Sequence, residues 1–253
     1  MNARSRTNPA RWPVRGVSSP KAPHVAAMTW RDGLFVHWPI DPEVLRPHLP
    51  ARLTLDTRDG QAWLSVLPFV LANAGLRGTP KALRTAVAEL NVRTYVRHRG
   101  DPGLYFFSID LGNPIIAEAV GRTTRLPVYS ARTNVGSVEQ RVAFSSERWW
   151  SEASDPARFT AAYRPDGEVF TPRTETLAYW LTERRRFYAP SGDGVLAGEI
   201  AHDPWPLQPA EATIHENTMF AANDLPSPTD EPVVHYCDEL SMTGSILRRL
   251  PDE

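Results

Sequence analysis

The stretch AELNVRTYV, residues 88–96, decides the fold, because polar and apolar side chains alternate along it. Positions 89, 91, 93 and 95 carry Glu, Asn, Arg and Tyr, whereas the even-numbered positions are mostly apolar. Successive side chains of a β-strand point to opposite faces, so the pattern predicts a strand with one polar and one apolar face. A second apolar run, LYFFSIDL (104–111), follows the turn-forming residues Gly100-Asp101-Pro102-Gly103. The two runs therefore predict a β-hairpin.

Outward from this hairpin, short apolar runs separated by Pro, Gly and Asp predict further strands. These strands are expected at 61–69, 115–124, 138–145, 158–164, 198–203, 211–221 and 232–239. Asp41-Pro42-Glu43 has the residue order of a helix start and predicts about two helical turns. A longer helix is predicted over Thr174–Tyr188, with a buried stripe formed by Leu177, Leu181, Arg184 and Tyr188. This order of elements predicts an α+β fold, an antiparallel barrel-like sheet with a few peripheral helices.

The first 27 residues differ from the rest in composition. They contain five basic side chains, four prolines and no acidic side chain. A segment of this kind has little apolar surface to bury, so we predict a flexible basic tail over 1–27. Residues 28–253 are predicted to form a single domain, which is an ordinary length for one.

Overall composition excludes several classes of partner. The formal net charge of −1 and the pI near 6.7 give no global reason to bind nucleic acid. Cys237 is the single cysteine, which rules out an internal disulfide. The most apolar stretch, Trp63–Leu76, is interrupted by Pro68 and Asn73, and no secretory signal opens the sequence. We therefore expect a soluble cytoplasmic protein that binds neither nucleic acid nor membranes.

Common catalytic and metal-binding motifs are missing from the sequence. It has no Gly-rich phosphate loop, no dinucleotide-binding glycine pattern and no Gly-x-Ser-x-Gly element. His215-Glu216 begins like a zinc-protease helix, but Met219 stands where a second histidine is required. His235 and Cys237 could contribute to a ligand cluster, yet Asp238 would point to the other face of a strand. We predict no metal site and no cofactor.

The polar face of 88–96 is the main candidate site. Four residues of extended chain separate Glu89 from Arg93, so their Cα atoms should lie roughly 13 Å apart, too far for easy direct pairing. A small anion near Arg93, with Asn91 beside it and Glu89 placed to move a proton, would give each charge a partner. Ion pairs with charged residues of neighbouring strands would also give each charge a partner. If the strand faces solvent, its charges need neither a ligand nor an ion pair.

Two stiff aromatic segments carry histidines, His37-Trp38-Pro39 and His202-Asp203-Pro204-Trp205-Pro206. His37 is a candidate acid-base group, while His202 and Trp205 are candidates for the rim of a ligand pocket. A half-buried histidine bound to backbone is the alternative. Arg184, on the predicted inner face of the long helix, could bind a ligand or pair with a buried carboxylate such as Glu89.

Six segments together resemble the YqjF-like family of uncharacterised bacterial proteins. They are RDGLFVHWPIDPEVLRPHLP (31–50), DGQAWLSVLPF (59–69), ELNVRTYVRHRGDPGLYFFSID (89–110), LPVYSA (126–131), LTERRRFYA (181–189) and HDPWPL (202–207). The family resembles a branch of the acetoacetate decarboxylase superfamily. The resemblance implies a closed antiparallel β-cone with a buried small-molecule pocket, and it leaves self-association into a homo-oligomer open.

The same resemblance implies that the decarboxylase chemistry is lost. In the decarboxylase, a lysine after a Gly-x-Pro motif forms a Schiff base. The similar segment here is Leu126-Pro127-Val128-Tyr129, so Val128 or Tyr129 replaces that lysine. The sequence has only two lysines, Lys21 and Lys81, and both lie outside this segment. Glu89 resembles the pocket glutamate of the superfamily.

Two hypotheses follow. The first is an acid-base enzyme without a Schiff base, acting on an oxo-acid or related carbonyl compound. Its candidate catalytic residues are Glu89, Tyr129 and His37, and its candidate ligand-binding residues are Arg93, Asn91, Arg184, His202 and Trp205. The second is a non-enzymatic ligand-binding or scaffold protein in which Glu89, Arg93 and Arg184 form a buried ion network. Both predict a small-molecule carboxylate or carbonyl compound as the ligand.

Overall fold

The fold is dominated by β-strands. A computed structural model describes residues 22–148 and 157–251 of the chain. Within these ranges the strands are β1 (His24–Ile40), β2 (Thr54–Leu55), β3 (Ala62–Leu76), β4 (Thr85–His98), β5 (Asp101–Leu111), β6 (Val128–Val138), β7 (Arg141–Arg148), β8 (Arg158–Pro165), β9 (Arg186–Ser191), β10 (Gly194–His202), β11 (Gln208–Asn217), β12 (Val233–Ser245) and β13 (Arg248–Arg249). The mostly-strand class predicted from the sequence is confirmed.

The described helices are short. The α-helices are α1 (Pro42–Leu45), α2 (Pro114–Thr124) and α3 (Leu177–Thr182), and 3-10 turns occupy Arg46–His48, Lys81–Leu83 and Ala221–Asn223. α1 confirms the helix predicted at Asp41-Pro42-Glu43, because the Asp41 side chain accepts a hydrogen bond from the Glu43 amide at 2.8 Å. In the described ranges, none of these helices has the length and apolar character needed to cross a membrane.

One sheet joins the strands in the order β13-β10-β9-β5-β6-β7-β8-β11-β12-β1-β3-β4-β2. Two further pairings, β5 with β4 and β10 with β12, connect strands that lie far apart in this order. A continuous ring of pairings therefore runs through β5, β6, β7, β8, β11, β12, β1, β3 and β4. Contrary to the prediction, the sheet is not antiparallel throughout, because β5 pairs in parallel with β6 and with β9. The helix α2 lies between β5 and β6 and supplies the crossover that a parallel pair needs. The predicted hairpin is β4 and β5, which pair from Glu89↔Leu111 to His98↔Asp101.

The turn of this hairpin is tighter than predicted. Arg99 and Gly100 both have positive φ, 52° and 87°, and β5 already begins at Asp101. Two central residues with positive φ match the right-handed twist of the flanking strands, which is why this turn connects hairpins so often. The bulge between Val92 and Arg93, opposite Phe106 to Ser108, adds one residue to β5.

The strand predicted at 115–124 is wrong, because this segment is the helix α2. Its β-branched and apolar residues suggested a strand, but Asn113 and Pro114 start a helix. The Asn113 side chain accepts from the amides of Ile115 and Ile116, at 3.1 Å each, and Pro114 occupies the first helical position. β6, which follows at Val128, was not predicted.

The long helix predicted over Thr174–Tyr188 is also wrong in extent. α3 covers only Leu177–Thr182, and the chain returns to the sheet as β9 at Arg186. Tyr188 and Arg186 pair with Ala197 and Glu199 of β10, so long-range strand pairing prevails over the local helical pattern. The strand predicted at 138–145 begins later, at Arg141, because Glu139 and Gln140 form a turn with positive φ.

The predicted boundary between tail and domain falls inside β1. This strand begins at His24, and Ala26 and Ala27 pair with Gly244 and Thr243 of β12. Residues 1–21 of the predicted tail lie outside the described part of the chain. The single domain over 28–253 stays a prediction, although strands from His24 to Arg249 share one sheet.

Both faces of the central strands β1, β3 and β4 are buried. Even-numbered side chains such as Val36, Leu64 and Val92 pack into one apolar core together with Phe144 and Phe159 of β7 and β8. Odd-numbered side chains point to the opposite face, where Phe35, Leu67 and Trp205 form a second core. The polar face of β4 therefore lies inside the protein and not in solvent.

Candidate functional site

A row of polar residues crosses three neighbouring strands on the odd-numbered face. His37 of β1 is the register partner of Ser65 in β3, and Ser65 is the partner of Arg93 in β4. Register partners lie on the same face, and their Cα atoms are about 4.5 to 5.5 Å apart in an antiparallel pair. All three residues are buried, and the exposed fraction of His37 and Ser65 is 0%. The sheet therefore concentrates an imidazole, a hydroxyl and a guanidinium in one place.

Hydrogen bonds join this row to Tyr95. The His37 Nδ1 atom lies 2.7 Å from Ser65 Oγ, and Ser65 Oγ lies 2.9 Å from the Tyr95 hydroxyl. The Tyr95 hydroxyl is also 3.1 Å from His37 Nδ1. These contacts to the His37 ring all involve its Nδ1 atom. The other nitrogen, Nε2, is buried and has no hydrogen-bond partner among the described residues.

Burial keeps His37 neutral. Removal from water lowers the pKa of His37 well below its usual value of 6.5, and the positive charges of Arg93 and His235 lower it further. A neutral imidazole carries one proton and one lone pair, and so can offer a single N–H donor.

Arg93 is a buried cation with free donors. In the described part of the chain, its Nε and Nη2 atoms have no hydrogen-bond partner. These two N–H groups lie along one edge of the guanidinium, the edge that binds a carboxylate through two parallel hydrogen bonds. The guanidinium carbon lies 5.9 Å from the centre of the Phe35 ring. Burial lowers the pKa of Arg93, whereas Tyr95 and Glu89 raise it.

Glu89 and Asn91 continue the polar face of β4. The Asn91 Nδ2 atom donates to Glu89 Oε1 at 3.2 Å, while Asn91 Oδ1 has no partner among the described residues. Burial raises the pKa of Glu89 to about 7, against the opposing effects of Asn91 and Arg93. A carboxyl with this pKa can both accept and release a proton near neutral pH.

His37, Ser65, Glu89, Asn91, Arg93 and Tyr95 together form the polar cluster. Arg184 lies next to it but does not pair with Glu89, the pairing considered from the sequence. Its Nη1 atom binds Asp56 Oδ2 at 2.7 Å, and both side chains are buried. Asp56 also accepts from Arg97 Nε at 2.8 Å. The Arg184 guanidinium stacks on Trp180 at 4.4 Å and lies 5.5 Å from the Tyr95 ring. The predicted network of Glu89, Arg93 and Arg184 is therefore corrected, because Asp56 neutralises Arg184.

Trp205, in the loop after β10, adjoins the cluster through Phe35. Its ring packs edge-on against Phe35, with ring centres 4.9 Å apart. Its backbone amide donates to Glu183 at 2.8 Å, and Glu183 also binds Arg185, which donates to the carbonyl of His202. The two segments LTERRRFYA and HDPWPL are thus held together. His202 packs on Trp205 at 4.8 Å and so adjoins the cluster through that ring.

Tyr129 lies on the opposite face of the sheet. It pairs in register with Asp110, and its ring stacks on the Arg148 guanidinium at 3.8 Å. Arg148 in turn binds Asp110 at 2.9 Å in a fully buried ion pair. Val128, the neighbour of Tyr129, is in register with Ile109, which pairs with Asn91. Val128 therefore shares the face of Asn91 and Glu89, whereas Tyr129 does not.

Residues 27–241 match a family model described as DUF2071, an uncharacterized conserved protein. The chain belongs to this family. It is 38% identical over 240 residues to the uncharacterized protein YqjF of Bacillus subtilis strain 168, covering 94% of this chain and 98% of YqjF. The resemblance to the YqjF-like family is confirmed.

Solved structures with the same fold are acetoacetate decarboxylase-like proteins. One is the enduracididine biosynthesis enzyme MppR complexed with pyruvate, at a TM-score of 0.63 and 14% identity, covering 97% of this chain and 99% of that one. Another is an acetoacetate decarboxylase-like enzyme from Sphingomonas wittichii RW1, at a TM-score of 0.57 and 14% identity, with 90% and 94% covered. At this identity the likeness shows the fold of the DUF2071 chain.

Sequence reasoning missed four residues of the DUF2071 site. Ser65 sits in an apolar run and attracts notice only through its register with His37. Tyr95 lies on the predicted polar face but is not among the predicted site residues, and Asp56 lies just beyond a two-residue strand. The sequence suggests His235 only as a metal ligand, yet its ring lies 6.5 Å from that of His37 at a half-buried position.

Other features of the DUF2071 chain are weaker candidates. A surface cavity of about 510 Å³ is lined by residues 39–42, Val44, Gly60, Gln61 and residues 226–230, none of which belongs to the polar cluster. A second, of about 290 Å³, lies at the side chains of Thr29, Arg84 and Met242. In the described ranges, no group of three or more His, Cys, Asp or Glu side chains is arranged to hold a metal. The buried cluster has the denser set of unpaired polar atoms.

Proposed function

We propose that this protein binds a small carboxylate or carbonyl compound in the polar cluster between β1, β3 and β4. The observation that carries the proposal is the free edge of Arg93, whose Nε and Nη2 atoms have no partner among the described residues. A buried cation without hydrogen-bond partners is costly, and a carboxylate that bound this edge would remove the cost. His37 Nε2 supplies a further polar atom for the rest of the ligand.

The framework of the site is proposed to be the closed barrel expected from the sequence, antiparallel except at the parallel β5–β6 pair. The β4–β5 pairing, which completes the ring of paired strands, supports this framework. Trp205 packs against Phe35, and Trp180 of α3 packs against Tyr95, on the same face as Arg93. His235, half-buried and next to His37, marks the edge at which the cluster approaches solvent.

We propose acid-base chemistry without a Schiff base. Val128, which has no amine, shares the face of Glu89, and Lys81 lies in the 3-10 turn that precedes β4. The titrating groups of the cluster are a carboxyl with a pKa of about 7 and a neutral imidazole. No cofactor is part of this proposal. A cytoplasmic location and self-association stay predictions.

The second candidate function is a non-enzymatic ligand-binding or scaffold protein. The Asp56 ion pairs favour it, because Arg97 and Arg184 bind this carboxylate with no need for a ligand. In that case the polar cluster would stabilise the fold and bind carboxylates without turnover.

Thermal-shift titration of the full chain with pyruvate, 2-oxobutanoate, acetate and succinate tests the binding. A ligand at 100 times its Kd adds about 2.7 kcal/mol to the free energy of unfolding, which shifts Tm by several degrees. The shift should disappear in Arg93→Met and persist in Arg132→Met, which removes an equal charge from an exposed position. No shift of the wild-type Tm with any carboxylate, or an equal shift in Arg93→Met, would overturn the proposal.

A further inference from the structure

The hydrogen-bond chain behind His37 has a direction. The Ser65 and Tyr95 hydroxyls lie 2.9 Å apart, and each lies within 3.1 Å of His37 Nδ1, so these three atoms share the two hydroxyl protons. Both protons find an acceptor when Tyr95 donates to Ser65 and Ser65 donates to His37 Nδ1, which then carries a lone pair. A neutral imidazole with a lone pair on Nδ1 has its proton on Nε2. The network therefore assigns the tautomer of His37 with an N–H at the buried, unpaired Nε2 atom.

The unpaired donors of the cluster are all N–H groups. His37 Nε2 and the Nε and Nη2 atoms of Arg93 all present N–H groups, so they suit a ligand with several acceptor oxygens. A 2-oxo acid has such a set, a carboxylate for the guanidinium edge and an adjacent carbonyl oxygen for the imidazole. A neutral N–H donor in a dry site stabilises negative charge that develops on that carbonyl oxygen.

The opposite end of the polar face offers a base. Glu89 lies four residues from Arg93 on the same strand and the same face, a Cα separation of about 13 Å that two long side chains and a small ligand can bridge. Asn91, between them, donates to Glu89 Oε1 and so orients the carboxylate. Its ionisation near neutral pH suits repeated uptake and release of a proton.

We propose that this site enolises a small 2-oxo acid, with Glu89 as the base and His37 as the donor to the carbonyl oxygen. Glu89 takes a proton from the carbon next to the carbonyl, and the electron pair of the broken C–H bond forms the C=C bond of the enolate. The carbonyl π electrons move to oxygen, which accepts the N–H of His37, while Arg93 holds the carboxylate. Return of a proton from Glu89 to carbon restores the oxo acid, so no co-reactant is consumed.

Ser65 and Tyr95 are positioning residues that fix the tautomer of His37. This inference rests on the proposed function.

Exchange of C3 protons of pyruvate or 2-oxobutanoate for deuterium, followed by ¹H NMR in D₂O, tests the step. The full chain should accelerate loss of the C3 signal over the buffer, and the rate should rise with pH through about 7 as Glu89 ionises. Glu89→Gln should lower the rate about a hundredfold while the thermal shift with pyruvate remains. His37→Phe should lower it by a similar factor, because the N–H at the oxygen is lost.

The positioning role of Ser65 has its own readout. Ser65→Ala should lower kcat for exchange with little change in KM, and Ser65→Thr, which keeps the hydroxyl, should restore it. Ser146→Ala is the matched control, because Ser146 is a buried serine on β7 that contacts neither His37 nor Glu89. The exchange rate of this variant should equal that of the wild type.

Two failures can be told apart. A thermal shift with pyruvate that is lost in Arg93→Met, without exchange above the buffer in the wild type, would overturn the enolisation and leave the binding site standing. Absence of any shift would overturn the proposed function itself. Equal exchange rates in wild type and Glu89→Gln would show that Glu89 is not the base.

Discussion

His37 and Ser65 are direct partners across β1 and β3, and their side chains join in a 2.7 Å hydrogen bond on the same face. Because both residues are fully buried, this bond orients the imidazole without help from solvent. It also uses Nδ1 and leaves Nε2 for another partner. The position of this histidine relative to Arg93 is therefore set by the sheet register.

Replacement of Glu89 by Gln should flatten the pH dependence of stability. The pKa of Glu89 is about 7 in the folded protein and 4.5 as its ordinary value. Between these values the unfolded state has released its proton and the folded state has not, so stability falls as pH rises through this window. The loss for one such group is about 3 kcal/mol. Urea unfolding from pH 4 to 8 should show this loss of stability in the wild type and in Glu231→Gln, an exposed control, but not in Glu89→Gln.

His37→Phe should change the pH dependence of stability on the acid side, where the wild type loses stability as pH falls. Burial lowers the pKa of His37, so below pH 6.5 the unfolded state takes up a proton that the folded state does not. Stability therefore falls as pH decreases below 6.5, and this acid-side loss should be reduced in His37→Phe. The exposed His215→Gln serves as the comparison. An unchanged acid-side slope in His37→Phe would contradict the buried neutral imidazole.

Asp56→Asn should destabilise the protein strongly. It removes the carboxylate that binds Arg184, whose side chain is 6% exposed, and Arg97. A buried cation left without its partner costs about 3 to 5 kcal/mol. Glu211→Gln, which breaks the solvent-exposed pair with Arg164, should cost far less, because water screens that pair. Chemical denaturation measures both, and a similar small loss in the two variants would refute a structural role for the Asp56 pairs.

A lysine at position 128 should restore imine chemistry, whereas one at 129 should not. Val128 shares the face of Glu89 and is half-buried, but Tyr129 lies on the other face against Arg148. Desolvation lowers the pKa of a buried lysine and keeps its amine free to attack a carbonyl. Borohydride reduction with pyruvate, read by peptide mass spectrometry, should label Val128→Lys more than Tyr129→Lys. The wild type, with only Lys21 and Lys81, gives a low background.

Prediction from the sequence worked where the signal was local. The alternation in 88–96 identified β4, its polar face and the candidates Glu89, Asn91 and Arg93. It failed at 115–124, where β-branched residues suggested a strand although Asn113 and Pro114 cap a helix. It failed again after Thr182, where pairing with β10 prevails over a helical pattern.

The sequence by itself determined which residues share a face of each strand, because side-chain direction alternates along an extended chain. Only the tertiary structure decided which of these faces meet. Asp56 binds Arg184 from 128 positions away, Ser65 joins His37 from another strand, and Tyr129 is separated from Glu89 by the sheet itself. Register and strand order set these relations through long-range pairing and shared burial, which no local pattern records.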